Sequence, residues 1–132
     1  MPFTDATANV ARRELLAQLE PLGVPRACVE DAVTILHELV RNGLDHGRPC
    51  VADTLTVAWD LAGDELTLAV TDCGTATSAE QPWRVKQLTP VQPDALRGRG
   101  LHLVAALSHD WHVRTTPADT TVTACVRVSH GA

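Results

Sequence analysis

The sequence has 132 residues, 45% of them apolar and 20% charged, a balance that fits one folded domain spanning the whole chain and excludes a disordered or fibrous protein. The formal net charge of −5 opposes attraction to nucleic-acid phosphates or anionic lipid and weighs against both as partners. The start, Met1-Pro2-Phe3-Thr4-Asp5, has no basic and apolar leader, and no run of about eighteen apolar residues follows, so a cytoplasmic chain without a membrane span is expected.

Ala8, Ala11, Leu15, Leu19 and Leu22 recur at three- and four-residue steps, which predicts a helix from about 6 to 22, ended by Gly23-Val24-Pro25. A second helix is predicted from about 28 to 44, with Val29, Val33, Leu36, Val40 and Gly43 on one face, stopped by His46-Gly47-Arg48-Pro49. Leu55, Val57, Trp59 and Leu61 then alternate with Thr56, Ala58 and Asp60. After Gly63-Asp64, Leu66, Leu68 and Val70 alternate in the same way, so an antiparallel hairpin is expected.

From 73 to 97 the periodicity vanishes and Pro82, Pro90 and Pro93 fall among polar residues, as in a lid. Gly98-Arg99-Gly100 opens a third helix carrying Leu101, Leu103, Val104 and Leu107. Residues 111–116 and 121–128 form a second hairpin about Pro117-Ala118-Asp119. The order α-α-β-β-lid-α-β-β predicts an α+β fold, a sheet with its helices on one face.

Cys28, Cys50, Cys73 and Cys125 contain no CxxC pair and read as small buried hydrophobes in a reducing compartment. His37, His102, His109, His112 and His130 share no ligand spacing, so zinc is not expected.

The polar residues of the second helix, Glu38, Asn42, Asp45 and His46, fall on one side, because positions four apart stack on a helix. A solvated face would account for such a stripe. Asparagine, however, is a poor helix former, and a carboxylate and an amide oxygen one turn apart suit Mg²⁺, which takes few protein ligands beside waters and substrate phosphates.

Asp72 ends an apolar strand and is followed by Cys73-Gly74. As a turn former it would cap the strand. As a buried acceptor it would face a donor such as the adenine amino group, with Gly74 admitting the base close to the backbone. Gly98-Arg99-Gly100 precedes a helix, whose free N–H groups can hold an anion. The P-loop pattern is absent, and the residues about Val104 are not the glycine that GxGxxG requires.

Taken in order, Glu38-Leu39-Val40-Arg41-Asn42-Gly43-Leu44-Asp45-His46-Gly47, Asp72-Cys73-Gly74 and Gly98-Arg99-Gly100-Leu101 resemble the N, G1 and G2 boxes of the GHKL (histidine-kinase-like) ATPase superfamily. More narrowly, the short chain, Ala11-Arg12 in the first helix and the spacing of Glu38, Asn42 and His46 resemble bacterial anti-sigma factor serine/threonine kinases of the SpoIIAB and RsbW type. That resemblance runs from about Phe3 to Val128.

The resemblance implies a Bergerat fold: a two-layer α/β sandwich whose mixed, mostly antiparallel sheet carries helices on one face and holds Mg-ATP under a lid at about 73–97. It implies Glu38 as general base, Asn42 as Mg²⁺ ligand and Asp72 as the adenine acceptor beside Gly74. It places Asp45 and His46 at the helix end near the nucleotide, Gly98, Arg99, Gly100 and Leu101 at the phosphates, Thr120 near the base and Arg12 at a partner surface.

The implied partners are a sigma factor and/or a STAS-domain anti-sigma antagonist, and the implied assembly is a homodimer. Two positions depart from the family pattern: Ala76 stands where D-x-G-x-G has its second glycine, and Asp119 where a glycine precedes the final threonine. A nucleotide-gated binding module without kinase activity would use the same ATP ligands. A sensor histidine kinase would need an upstream dimerisation and phosphoacceptor segment.

Overall fold

The computed structural model describes residues 1–74 and 101–128. The apolar stripe of the first segment builds helix α1, Thr7–Leu19, with Ala8, Ala11, Leu15 and Leu19 buried, and a short 3₁₀ turn, Glu20–Leu22, continues it. Helix α2, Arg26–His46, begins and ends slightly beyond the predicted limits. The carbonyl of Pro25 accepts from Cys28 N and Val29 N, which moves its start toward the proline.

The buried face of α2 consists of Val29, Ala32, Ile35, Leu36, Leu39, Val40, Asn42 and Gly43. Val33, expected on that face, is only half-buried, because the packed stripe is centred on Ile35, Leu36 and Leu39.

Four strands follow the predicted alternations: β1, Thr56–Ala62; β2, Glu65–Asp72; β3, Asp110–Thr115; and β4, Thr120–Arg127. Helix α3, Leu101–Leu107, precedes β3. The sheet order is β1-β2-β4-β3, and every described pair is antiparallel. The β1–β2 turn needs the left-handed conformation at Gly63, φ 64°.

On β2 and β4, Leu66, Leu68, Val70, Val122, Ala124 and Val126 point to one face and join the helices in a single core. The opposite face carries Thr67, Ala69, Thr71, Thr121, Thr123 and Cys125, with Thr71 and Thr121 sharing a hydroxyl hydrogen bond of 2.7 Å. The α+β fold, with helices on one side of an antiparallel sheet, is therefore as the sequence predicts. No helix among the described residues is long and apolar enough to cross a membrane.

The cysteines differ from the expectation. Cys50 and Cys73 are joined by a disulfide, and Cys28 and Cys125 remain thiols, each half-buried. The hairpin explains the pairing: Thr56 pairs with Thr71, so segments just outside the two strands return to the same end of the sheet. Burial raises the pKa of Cys125 above its ordinary 9.0, and the nearby carboxylates of Glu65 and Asp110 add to the rise.

Candidate functional site

Among the described residues, four polar side chains are buried: Thr7, Asn42, Asp72 and Thr120. Three of the four are residues singled out from the sequence, and a buried polar group in so apolar a core requires a reason. Asp72 and Thr120 are direct neighbours, paired across β2 and β4 at the ends of both strands.

Asp72 sits at the junction of three segments. Its Oδ1 accepts from Gly74 N at 2.6 Å and from Arg48 N at 3.3 Å. Cys73 N donates to the Arg48 carbonyl at 2.8 Å, so the chain leaving α2 lies alongside the end of β2. Thr120 Oγ1 donates to the Gly74 carbonyl at 3.1 Å, which fixes the next peptide. The carboxylate is thereby held in one orientation by backbone donors, the arrangement a selective acceptor needs.

Gly47 makes this approach possible. A Cβ there would run into the Asp72 carboxyl carbon, and would lie 2.6 Å from the Gly43 carbonyl oxygen and 2.7 Å from Asp72 Oδ2. The backbone of Gly47 is extended, φ −93° and ψ −169°, so the requirement is space, not an unusual dihedral. One turn earlier, a Cβ at Gly43 would meet Leu55 Cδ1 at 3.2 Å and Val70 Cγ1 at 3.4 Å, so α2 lies close on the sheet along this edge. Gly47 was not among the predicted site residues: a glycine just past a helix reads as a terminator, and the carboxylate it admits lies 25 positions away in sequence (72 − 47).

Asn42 lies on the face of α2 turned toward the sheet and is 4% exposed. Its Oδ1 is buried with no hydrogen-bond partner among the described residues, a state that costs about 1–3 kcal/mol unless something else meets the oxygen. A hard cation that takes amide and carboxylate oxygens beside phosphate oxygens fits that unpaired acceptor. Glu38, one turn earlier, is half-buried, and its carboxylate has no recorded partner among the described residues.

The remaining predicted residues are dispersed. His46 is half-buried in the last turn of α2. Asp45 is exposed and paired with Arg41 at 2.8 Å. Leu101 starts α3 with its side chain fully buried in the core. Arg12 is exposed on α1 and lines a cleft of 310 Å³ with Glu30, Val33, Thr34 and His37. Gly98, Arg99, Gly100, Ala76 and the predicted lid beyond Gly74 lie outside the described residues.

Asp119, the departure beside Thr120, belongs to the β3–β4 turn. Its Oδ1 accepts from Thr116 Oγ1 at 2.8 Å, and Thr116 Oγ1 accepts in turn from Asp119 N and Ala118 N. Its side chain is thus engaged by the turn itself.

A family model described as the histidine kinase-like ATPase domain matches residues 1–126. Among solved structures, the chain is similar to the RsbU and RsbW domains of Rv1364c from Mycobacterium tuberculosis, at a TM-score of 0.72 and 24% identity. The match covers 100% of this chain and 32% of that one, so the likeness is one of fold. No curated protein matches.

Proposed function

The chain belongs to the histidine kinase-like ATPase domain family, and from that premise we propose that it binds Mg-ATP and acts in the cytoplasm as an anti-sigma factor serine/threonine kinase. The observation that carries this reading is the buried cluster of Asp72, Gly74 and Thr120, a carboxylate oriented by backbone N–H groups where an adenine amino group could donate. The likeness in fold to a solved structure that includes an RsbW domain supports the narrower assignment.

In this reading Asp72 selects and orients the base, and Thr120 fixes the Gly74 peptide beside it. Asn42 contributes its unpaired Oδ1 as a ligand to Mg²⁺. The cation, when bound with the nucleotide, supplies charge neutralisation at the phosphates. Gly98, Arg99, Gly100 and Leu101 serve the phosphate end.

Glu38 accepts the proton of a substrate serine hydroxyl as the serine oxygen bonds to the γ-phosphorus and the bond to the ADP oxygen breaks. The substrate of this reaction is a STAS-domain antagonist, with Arg12 on the partner-facing side and a sigma factor as the second partner. Positioning and electrostatics supply most of the rate.

The test is a titration with Mg-ATP followed by γ-phosphate transfer to a cognate STAS protein, for wild type, Asp72→Asn and Glu38→Ala. Asp72→Asn is expected to lose nucleotide binding, and Glu38→Ala to keep binding and lose transfer. Unchanged affinity in Asp72→Asn would overturn the adenine assignment, and normal transfer by Glu38→Ala would overturn the base. Tight binding without transfer by the wild type would identify a nucleotide-gated binding module instead.

A further inference from the structure

The disulfide is placed where the adenine acceptor is held. Cys73 immediately follows Asp72, and Cys50 lies two residues beyond Arg48, whose N–H is one of the two recorded backbone donors to Asp72 Oδ1. The two Cα atoms are 5.0 Å apart, a proximity also supported by the backbone bond from Cys73 N to the Arg48 carbonyl. The sulfurs are thus neighbours whether or not they are bonded.

The segment this bond tethers meets β2 through the backbone hydrogen bonds of Arg48, while its far side is held by the N-terminus, with Phe3 N donating to the Asp53 carbonyl at 2.7 Å. It turns back on itself through Cys50 N to the Thr54 carbonyl, 2.6 Å, and between them Ala52 and Asp53 adopt φ 62° and 55°. Residues other than glycine rarely adopt that conformation without outside constraint. Val51, Ala52 and Asp53 are exposed and both cysteines are only half-buried, so small oxidants and reductants can reach the pair.

We propose that Cys50 and Cys73 form a reversible oxidation site whose state sets the affinity of the Asp72 pocket for adenine nucleotide. The inference rests on the nucleotide reading given above. In the bonded state Arg48 N and Gly74 N both hold the carboxylate, so the acceptor is ordered before the base arrives. With the bond open, the 48–54 segment is held to β2 by the Arg48 hydrogen bonds without the covalent tether, and the carboxylate loses part of that preorganisation.

The chemistry balances with a peroxide as oxidant. One thiolate attacks a peroxide oxygen, the O–O bond breaks, and water leaves with a sulfenic acid on that cysteine. The second thiolate attacks the sulfenic sulfur, the S–S bond forms, the S–O bond breaks and a second water leaves. Two electrons pass from the cysteines to the peroxide, and a dithiol reductant returns them by thiol–disulfide exchange. Cys125 is a weaker competitor, since burial raises its pKa and so lowers its thiolate fraction.

The experiment titrates Mg-ATP by calorimetry into the full chain, reduced with a phosphine or oxidised with hydrogen peroxide, with peptide mapping of the bond in each sample. Circular dichroism verifies that both are folded. The oxidised protein is expected to bind about tenfold more tightly. The double variant Cys28→Ser, Cys125→Ser should keep that difference, and Cys50→Ser should bind like the reduced wild type in both conditions.

Equal affinities in samples mapped as fully bonded and fully reduced would overturn the switch while leaving the nucleotide site standing. Failure of peroxide to form the Cys50–Cys73 bond would overturn it as well. Absence of ATP binding in both states would overturn the switch and the site together.

Discussion

Thr120 stands directly across the sheet from Asp72, and its hydroxyl donates to the carbonyl of Gly74 two residues beyond that carboxylate. One side chain from β4 thereby fixes the carbonyl side of Gly74, and the N–H of the same residue turns back to Asp72 Oδ1. The acceptor and the group that orients it lie 48 positions apart in the sequence (120 − 72).

Thr120→Val keeps the shape of this fully buried residue and removes the hydroxyl. Loss of the bond is expected to cost about 1 kcal/mol of stability and leaves the Gly74 carbonyl short of a donor. Urea denaturation of the variant measures the first effect, and a Mg-ATP titration the accompanying loss of affinity.

Gly47→Ala places a methyl group against the Asp72 carboxyl and the Gly43 carbonyl oxygen. The expected destabilisation is about 1–3 kcal/mol, with a larger proportional loss of ATP binding than Thr120→Val, because the carboxylate itself must move. Thermal melts beside the same titration separate the two effects. A variant as stable as wild type would show that the helix end yields freely.

Asn42→Ala removes a buried oxygen that has no partner among the described residues. The nucleotide-free protein should therefore lose no more than about 1 kcal/mol, while the dependence of ATP affinity on Mg²⁺ disappears. Denaturation without ligand and titrations with and without Mg²⁺ give the two readouts, and retained Mg²⁺ dependence would exclude Asn42 as a ligand.

The disulfide closes a loop of sequence separation 23, for which loss of unfolded-state constraint on reduction is expected to cost about 3 kcal/mol. Urea unfolding with and without a phosphine reductant measures it. Cys28→Ser should leave the difference intact.

Cys125 gives a pH dependence of known sign. Its pKa is raised in the folded protein, so above 9.0 the unfolded chain releases a proton that the folded one retains. Stability associated with this thiol is full below 9.0 and falls as pH rises toward the folded value. Denaturation midpoints in alkaline buffer should fall less for Cys125→Ala than for wild type.

Much of this arrangement can be read from the residues. Alternation located all four strands, because β2 and β4 each bury one face and leave the other polar. Asp72 is buried where an apolar strand ends, and Asn42, a poor helix former read from the polar stripe of α2, is buried as well. The Gly47–Asp72 approach and the Cys50–Cys73 bond were not legible, since both depend on how closely the end of α2 meets the end of β2. Periodicity gives the face of a helix and not its distance from the sheet. The predicted burial of Val33 erred for a related reason: the face of α2 is chosen by what the sheet offers Ile35 and Leu39.

The position of β4 has a consequence for how the protein comes into being. The last of the four strands to be translated is an interior one, inserted between β2 and β3. While the ribosome is still making it, β2 exposes an unpaired edge, and Asp72 has no opposite strand. The nascent chain therefore cannot complete its adenine pocket early, and its contacts of long sequence separation close late. Nucleotide present during synthesis would act on the finished sheet alone, rewarding those chains in which β4 has taken its place.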